Sequence, residues 1–246
     1  MKKLLILLAL VFAFSLNAQH GNYIYKTVAI RAAPGELQSL IDQLKNDMAV
    51  CNCFPAEKPQ LMRHSQGDQW DLLMIIPIGL EMTDYFSDEL KRARENSITQ
   101  DKPYGDEYFK LISWQEEGFY HGPSIRLFNN RFSDMDYYHI EMFQALAGKQ
   151  AELLDQRKME NVYLNEIDRE PNFIFTKIMG SPVDIFTVGL YRDIKHFAES
   201  ADISIEAEDK AAKKAGFESV YTIGTYLRSL LLEHRDTLAG AVRNDN

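Results

Sequence analysis

The residues best suited to chemistry lie in a short run near the middle of the chain, residues 137–143. Alternate side chains of an extended strand point to the same face, so Tyr137, His139, Glu141 and Phe143 share one face. An imidazole and a carboxylate between two aromatic rings can act as a general base with an orienting carboxylate, or as two ligands of a metal ion. If the face points to solvent, they are ordinary surface residues. The pattern makes His139 and Glu141 catalytic candidates and both rings ligand-binding candidates, and it assigns no metal ligands.

The helix predicted after this strand carries two further candidates, Arg157 and Asn161. Both occupy positions that are apolar in a related segment of the chain described below. A buried arginine is costly unless it is paired, and Glu160 or Glu141 is within reach as a partner. Arg157 and Asn161 therefore predict an anion or carboxylate contact in a cleft, unless the helix is rotated toward solvent.

Three weaker ligand-binding candidates lie elsewhere: His64 ends a predicted strand, His196 lies on a predicted helix, and Arg228 lies on a later helix that could close over a ligand. The triplet from His234 to Asp236 matches the kinase catalytic loop in letters only, because no glycine-rich loop accompanies it. We expect Asp236 to introduce the last strand.

Standard motifs of several enzyme classes are missing from the sequence. It contains no G-x-S-x-G, no H-E-x-x-H, no P-loop and no dinucleotide fingerprint. The common hydrolase, zinc protease, nucleotide-binding and Rossmann functions are therefore disfavoured.

Two segments of the chain, residues 25–71 and 138–184, align with each other without a gap. The residues of the first segment that recur unchanged at the aligned positions of the second are Tyr25, Ala32, Gly35, Leu40, Asp42, Gln43, Lys45, Asn52, Glu57, Gly67 and Asp71. The apolar residues replaced by Arg157 and Asn161 are Leu44 and Met48, which continue a helical stripe from Leu37. Segments so far apart indicate two tandem domains rather than a solenoid, whose repeats are much shorter.

Each copy is predicted to contain a strand, a helix, a hairpin and a second helix. The predicted strands are residues 23–30, 60–64 and 70–76 in the first copy, and residues 137–143, 173–178 and 183–190 in the second. The second helices are placed at residues 80–95 and 191–200. Helices at 205–215 and 223–233 and a strand at 237–242 complete the second copy. The fourth strand of the first copy is not located, and residues 96–104 are predicted to be a loop.

This order of elements is the split β-α-β order of ferredoxin-like folds. With the G-x-x-x-D hairpins Gly67–Asp71 and Gly180–Asp184, the chain resembles the dimeric α/β-barrel superfamily, which includes antibiotic-biosynthesis monooxygenase-like, stress-responsive barrel and NIPSNAP-like proteins. The resemblance implies an α+β fold of two tandem ferredoxin-like β-α-β-β-α-β units, residues 19–132 and 133–246, that form an intrachain α/β barrel. It also allows a homo-oligomer.

The superfamily includes cofactor-free oxygenases, lyases, isomerases and haem enzymes, so the fold by itself does not choose a reaction. Haem-binding members carry a ligand histidine on a helix, and His196 is the nearest candidate here. The sequence leaves the cofactor unknown.

The N-terminus predicts export. Lys2 and Lys3 precede an apolar run over residues 4–14, which is too short to cross a bilayer but matches a signal-peptide core. Residues 1–18 are therefore predicted to be a signal peptide, leaving a periplasmic or extracellular protein without a membrane anchor. Cys51 and Cys53 are too close in the chain for an unstrained disulfide. We therefore favour their interpretation as two small loop residues over a redox or metal-binding role.

The formal net charge of -9 argues against a nucleic-acid partner, because phosphate binding requires clustered Lys and Arg. We expect first a protein that binds a small organic molecule in a barrel cleft. The second hypothesis is a cofactor-free oxygenase, isomerase or lyase that uses His139 and Glu141. The third is a metal- or haem-dependent oxidoreductase.

Overall fold

The computed structural model describes residues 20–50, 59–66, 69–95 and 106–243. The predicted signal peptide, both cysteines and the predicted loop at 96–104 lie outside these residues. The chain divides into two compact units. The first unit contains the described residues of Asn22–His121, Lys177–Ser181 and Thr237–Asn246, and the second contains Gly122–Thr176 and Pro182–Asp236.

The first unit has a sheet with the strand order β4-β1-β3-β2. Its strands are β1 (Tyr23–Ala32), β2 (Gln60–Gln66), β3 (Leu72–Gly79) and β4 (Ile112–Gly122), and its helices are α1 (Leu37–Val50), α2 (Met82–Tyr85), α3 (Asp88–Glu95) and α4 (Asp106–Lys110). The β1/β3 and β2/β3 ladders are antiparallel, and the C-terminal end of β8 (Leu231–Ala241) pairs antiparallel with β2. The sequence predicted that β2 and β3 pair, and their ladder confirms this, while Gly67 of the predicted turn lies outside the described residues.

The helix α1 packs its predicted apolar stripe on the sheet. Leu40, Leu44 and Met48 are buried together with Val28 and Ile30 of β1 in one apolar cluster. Burial of side chains of this size stabilises the fold by roughly 1.5–3 kcal/mol each. The period of the stripe therefore predicted both the helix and the side that it buries.

The second unit has the strand order β8-β5-β7-β6. Its remaining strands are β5 (Tyr137–Ala145), β6 (Phe173–Met179) and β7 (Ile185–Tyr191), and its helices are α5 (Ile125–Phe132), α6 (Gln150–Glu166), α7 (Ile194–Ala198), α8 (Ile205–Ala215) and α9 (Ile223–Ser229). The β5/β7 and β6/β7 ladders are antiparallel. Strands β6 and β8 each continue from this unit into the first.

The two faces of this sheet carry different helices. Phe143 of β5 and Ile174 of β6 pack with Leu153 of α6 in one apolar cluster. On the opposite face, Phe132 of α5 contacts the rings of Tyr138 and Phe173, at centroid distances of 5.3 and 6.0 Å. The face of β5 that holds the sequence-predicted pair is therefore the face that α6 covers.

The last part of the chain differs from the sequence prediction. The helix predicted at 223–233 ends at Ser229, and the strand predicted at 237–242 begins at Leu231. The leucine-rich segment Leu230–Leu232 favours a helix locally, but its place in the sheet overrides this weak preference. As a result His234 and Asp236 lie on strand β8.

Two other predictions for the elements were wrong in part, and one element was not predicted. The helix predicted at 80–95 is two helices, because the hydroxyl of Ser87 accepts a hydrogen bond from the backbone N–H of Leu90 (3.3 Å) and starts α3. The helix predicted at 191–200 is shorter, because β7 continues to Tyr191 and Asp193 caps α7. The fourth strand of the first unit, which the sequence did not locate, is β4.

Within the part of the chain that the structure describes, no helix combines the length and apolarity needed to cross a bilayer.

Candidate functional site

The candidate site is a cluster of charged side chains between strands β5 and β8 and helix α6. His139, Glu141 and Phe143 project from the face of β5 that packs on α6, as the alternation of the strand predicted. Opposite them on β7 lie Gly189 and Thr187. The backbone register thus fixes the spacing of these groups.

Glu141 is the buried anion of the cluster, with 8% of its surface exposed. One carboxylate oxygen, Oε2, lies 3.4 Å from Nη1 of Arg157 and accepts a hydrogen bond from the hydroxyl of Thr187 (3.3 Å). The other, Oε1, lies 3.3 Å from Nε2 of His234. Burial alone would raise the pKa of Glu141, but the hydrogen bond from His234 and the charge of Arg157 lower it to about 2. Glu141 is therefore ionised, with both oxygens engaged.

Arg157 is buried at the centre of the cluster and is fully paired. It donates from Nε to Oε1 of Gln156 (2.7 Å) and forms a short hydrogen bond from Nη2 to Oε2 of Glu160. Its guanidinium lies over the ring of Phe143, 4.6 Å from the centroid. Burial raises the pKa of Glu160, and the charge of Glu141 adds to this rise, which the charge of Arg157 offsets only in part. The expectation that Glu160 or Glu141 pairs with Arg157 is met by both residues.

His139 lies at the exposed edge of the cluster. Its Nε2 is 2.7 Å from Oδ1 of Asp236, whose side chain is 57% exposed. Burial lowers the pKa of His139, but the hydrogen bond with Asp236 and the charge of Glu141 raise it more, so that its pKa lies above the ordinary value. Among the described residues, no hydrogen bond is made to Nδ1 of His139. The ring therefore has one fixed and one available nitrogen.

Rings surround the exposed edge of this cluster. The ring of Phe197 on α7 lies 5.5 Å from that of His139, 6.2 Å from that of Tyr137 and 5.1 Å from that of Tyr191. His234 stacks on Phe143 with a centroid distance of 4.9 Å and an interplanar angle of 2°. Aromatic rings therefore lie beside both histidines.

A separate small pocket lies on the other face of β5, away from His139. It is lined by Met142, Gln144, Pro182, Val183, Glu233 and Arg235, and it has space for about one water molecule.

The sequence did not place His234 and Asp236 in the site. A histidine and an aspartate two residues apart point to one face of a strand, but His234 was predicted to follow a helix directly and Asp236 to precede the last strand. Phe197, Gln156 and Thr187 carried no distinguishing signal, because only the packing of α6 and α7 and the β5/β7 register brings them to His139 and Glu141.

Four sequence candidates lie outside the cluster. Asn161 is buried and exchanges two hydrogen bonds with the backbone of Asn172 (2.8 and 2.9 Å), so it holds the segment before β6. His196 accepts a hydrogen bond at Nδ1 from the backbone N–H of Arg192 (3.1 Å) and closes the start of α7. His64, in the first unit, is hydrogen-bonded to the backbone oxygen of Trp70. Arg228 is exposed on α9.

The fold of the chain is similar to that of several solved structures. An anthrone oxidase-like protein is 12% identical and has a TM-score of 0.62, with 92% of this chain and 94% of that chain covered. A putative monooxygenase from Fusobacterium nucleatum subsp. nucleatum is 8% identical, with a TM-score of 0.55 over 91% and 94% of the two chains. A chlorite dismutase variant from Candidatus Nitrospira defluvii is 9% identical, with a TM-score of 0.50 over 92% and 94%.

No family model matches the sequence, and no curated protein matches it. At these identities the structural likeness shows the fold alone. The fold is of the ferredoxin-like α/β type, as the order of elements predicted.

Proposed function

We propose that the protein binds a small organic molecule beside Phe197 and removes a proton from it with His139, as a cofactor-free oxygenase, isomerase or lyase. The observation that carries this proposal is the 2.7 Å contact between Nε2 of His139 and Oδ1 of Asp236. A carboxylate that accepts the Nε2 proton holds the imidazole in the tautomer with a free Nδ1. His139 is then the base, and Asp236 is a positioning residue.

The buried part of the cluster supports this assignment. Glu141 is held by Arg157, Thr187 and His234, so it is poorly placed to receive a proton itself. Its negative charge instead stabilises the imidazolium that forms when His139 takes a proton. The pair that the sequence suggested thus divides into a base and a buried counter-charge.

The aromatic surroundings support a substrate with a flat apolar ring. Tyr137, Tyr191 and Phe197 lie next to the base, and aromatic rings favour stacked or edge-on contacts with other rings. The solved structure with a TM-score of 0.62 is named for its likeness to anthrone oxidase. An anthrone has an acidic C–H group on an aromatic framework, and proton removal prepares such a carbon for reaction with O₂.

The test is oxygen consumption and product formation by the purified chain with a panel of anthrones and other enolisable aromatic compounds. We expect His139→Ala to lower turnover by about 10²–10⁴-fold, the usual contribution of a general base. Asp236→Asn should lower turnover less, because it disturbs the orientation of the base but leaves it in place. His64→Ala is the control, since His64 lies in the first unit, outside the cluster.

Unchanged turnover in His139→Ala would remove the base from the mechanism. If a compound of the panel stabilises the unmodified chain against heat but is not converted, the protein binds the compound without catalysing a reaction.

We also propose that the two units are tandem ferredoxin-like copies. In the first unit Asp71 accepts the backbone N–H of Ala32 (2.8 Å), and in the second Asp184 accepts the backbone N–H of Ala145 (2.9 Å). Both the acceptors and the donors occupy aligned positions of the two sequence copies. The boundary between residues 132 and 133 and the intrachain barrel remain predictions.

Export remains a prediction as well. Sequencing of the N-terminus of secreted protein should find a chain that starts at Gln19. A chain that retains residues 1–18 and stays inside the cell would contradict export.

A further inference from the structure

The cluster brings together three side chains that ligate metal ions elsewhere in proteins. One ring nitrogen of His139, one carboxylate oxygen of Glu141 and one of Asp236 all lie within 4.8 Å of one another. Two of them come from β5 and the third from β8. Because strands hold their side chains in a fixed register, the three atoms are already gathered before any ion binds.

We propose that His139, Glu141 and Asp236 form a binding site for one divalent first-row transition-metal ion. Ligand distances of such an ion are about 2.0–2.2 Å, which places neighbouring ligand atoms about 3 Å apart. Nε2 of His139 and Oδ1 of Asp236, at 2.7 Å, need to separate by only a few tenths of an ångström to admit the ion.

The charge of the surroundings favours a cation. Arg157 pairs with the carboxylates of Glu141 and Glu160, and Asp236 adds a third carboxylate to the cluster beside His139 and Glu141. Arg157 is shared between Glu141 and Glu160, so it offsets only part of the negative charge of the cluster. An ion with two positive charges balances the remaining negative charge.

The donor set selects the class of ion. One imidazole with two carboxylates suits Mn²⁺, Fe²⁺, Co²⁺ or Zn²⁺, whereas Ca²⁺ and Mg²⁺ prefer oxygen ligands alone. The hydroxyl of Thr187 and the guanidinium of Arg157 both contact Glu141 and fix its orientation, as the outer contacts of metal ligands usually do. The exposed carboxylate of Asp236 gives the ion a route from solvent.

This inference goes beyond the proposed reaction and, in one respect, rests on it. An ion bound to Nε2 of His139 replaces the proton that Nε2 otherwise donates to the carboxylate of Asp236. The remaining proton of the neutral ring then lies on Nδ1, which can no longer act as a base. If the proposed reaction is correct, we therefore expect the ion to inhibit it.

The experiment uses the full chain, freed of metal by EDTA and dialysis, and titrates it with Co²⁺. Calorimetry should give one ion per chain, and the visible absorption of bound Co²⁺ should show a nitrogen and oxygen ligand set. Asp236→Asn, an exposed and nearly isosteric change, should weaken binding at least tenfold, and His139→Ala should weaken it at least as much. His196→Ala and His64→Ala should leave the affinity unchanged.

Two outcomes would overturn the site: no binding of Co²⁺ or Zn²⁺ to the folded chain, or binding that Asp236→Asn and His139→Ala leave unaltered. Turnover measured with and without EDTA separates this result from the proposed function. Turnover that needs the ion would support the site and overturn the cofactor-free reaction. Absent ion binding with full turnover would overturn the site and leave the reaction standing.

Discussion

Arg157 shows how a different residue at one aligned position of the two sequence copies changes the interior of a unit. Its counterpart in the first copy is Leu44, which is buried in an apolar cluster of the first unit. Arg157 is buried to the same degree but balances Glu141 and Glu160. A buried charge is stable only while its partners remain, so these three residues form one interdependent group.

We expect Arg157→Leu, which introduces the residue of the related position, to lower the free energy of unfolding by about 3–5 kcal/mol, because the buried Glu141 and the half-buried Glu160 lose their counter-charge. Urea denaturation followed by circular dichroism measures the loss. Arg228→Leu, at an exposed position of α9, is the control and should change the stability by less than about 0.5 kcal/mol. The triple change Arg157→Leu, Glu141→Gln, Glu160→Gln should recover part of the loss. A loss as small as that of the control would show that Arg157 is not needed to balance the carboxylates.

At the scale of elements, α8 is the helix whose limits the sequence predicted best. The predicted range 205–215 matches Ile205–Ala215, because both ends carry local signals. The hydroxyl of Ser204 accepts the backbone N–H of Ala207 (3.4 Å), and Gly216 ends the helix with φ of 100°. The helix α9 has no such signal at its C-terminal end, and the predicted end at residue 233 was wrong although the start at Ile223 was right.

Asp209 joins α8 to the turn that follows it. Its carboxylate accepts Nζ of Lys213 (2.6 Å) and the backbone N–H of Val220 (3.1 Å), and these hydrogen bonds lower the pKa of Asp209 below its ordinary value. A lowered pKa in the folded state means that the carboxylate stabilises the protein above the pKa of the unfolded chain, about 3.9. This stabilisation is lost as the pH falls through the folded value.

We therefore expect Asp209→Asn to lower the melting temperature at pH 7, and we expect this difference from the unmodified protein to be smaller at about pH 3, below the pKa of the unfolded chain. Thermal unfolding at both pH values measures this. Asp155→Asn is the control, because Asp155 is exposed on α6 and its ion pair with Lys158 is long, at 3.9 Å. A difference that stays constant from pH 7 to pH 3 would show that the ionised form of Asp209 adds no stability.

At the scale of the whole molecule, the alignment of the two sequence copies makes a prediction about both units. Asp71 and Asp184 make the same backbone contact in different units. We expect Asp71→Ala and Asp184→Ala to cost about 1–3 kcal/mol each, because each leaves a backbone N–H without its acceptor. Urea denaturation of the single variants measures the two losses.

Asp42→Ala and Asp155→Ala are the matched controls for this comparison. These aspartates also occupy aligned positions of the two copies, but both are exposed on helices. They should cost less than about 0.5 kcal/mol. A large loss for one hairpin aspartate and none for the other would count against equivalent roles in the two units.

The sequence by itself determined the features that depend on short spacing. The alternation at Tyr137–Phe143 predicted β5 and the common face of His139 and Glu141, and the apolar stripe with Leu40 predicted α1. Residues a few positions apart carry this information, because the periods of strands and helices are fixed by backbone geometry.

Only the tertiary structure decided which groups complete the site. Asp236 lies 97 residues from His139 in the chain, and its contact depends on β8 lying beside β5. The leucine-rich start of β8 favours a helix on local grounds, so no short pattern revealed the strand. The candidate pair was visible in the sequence, but the orienting carboxylate of Asp236 and the contacts of Glu141 with Thr187 and His234 depend on long-range sheet order, which local propensity does not encode.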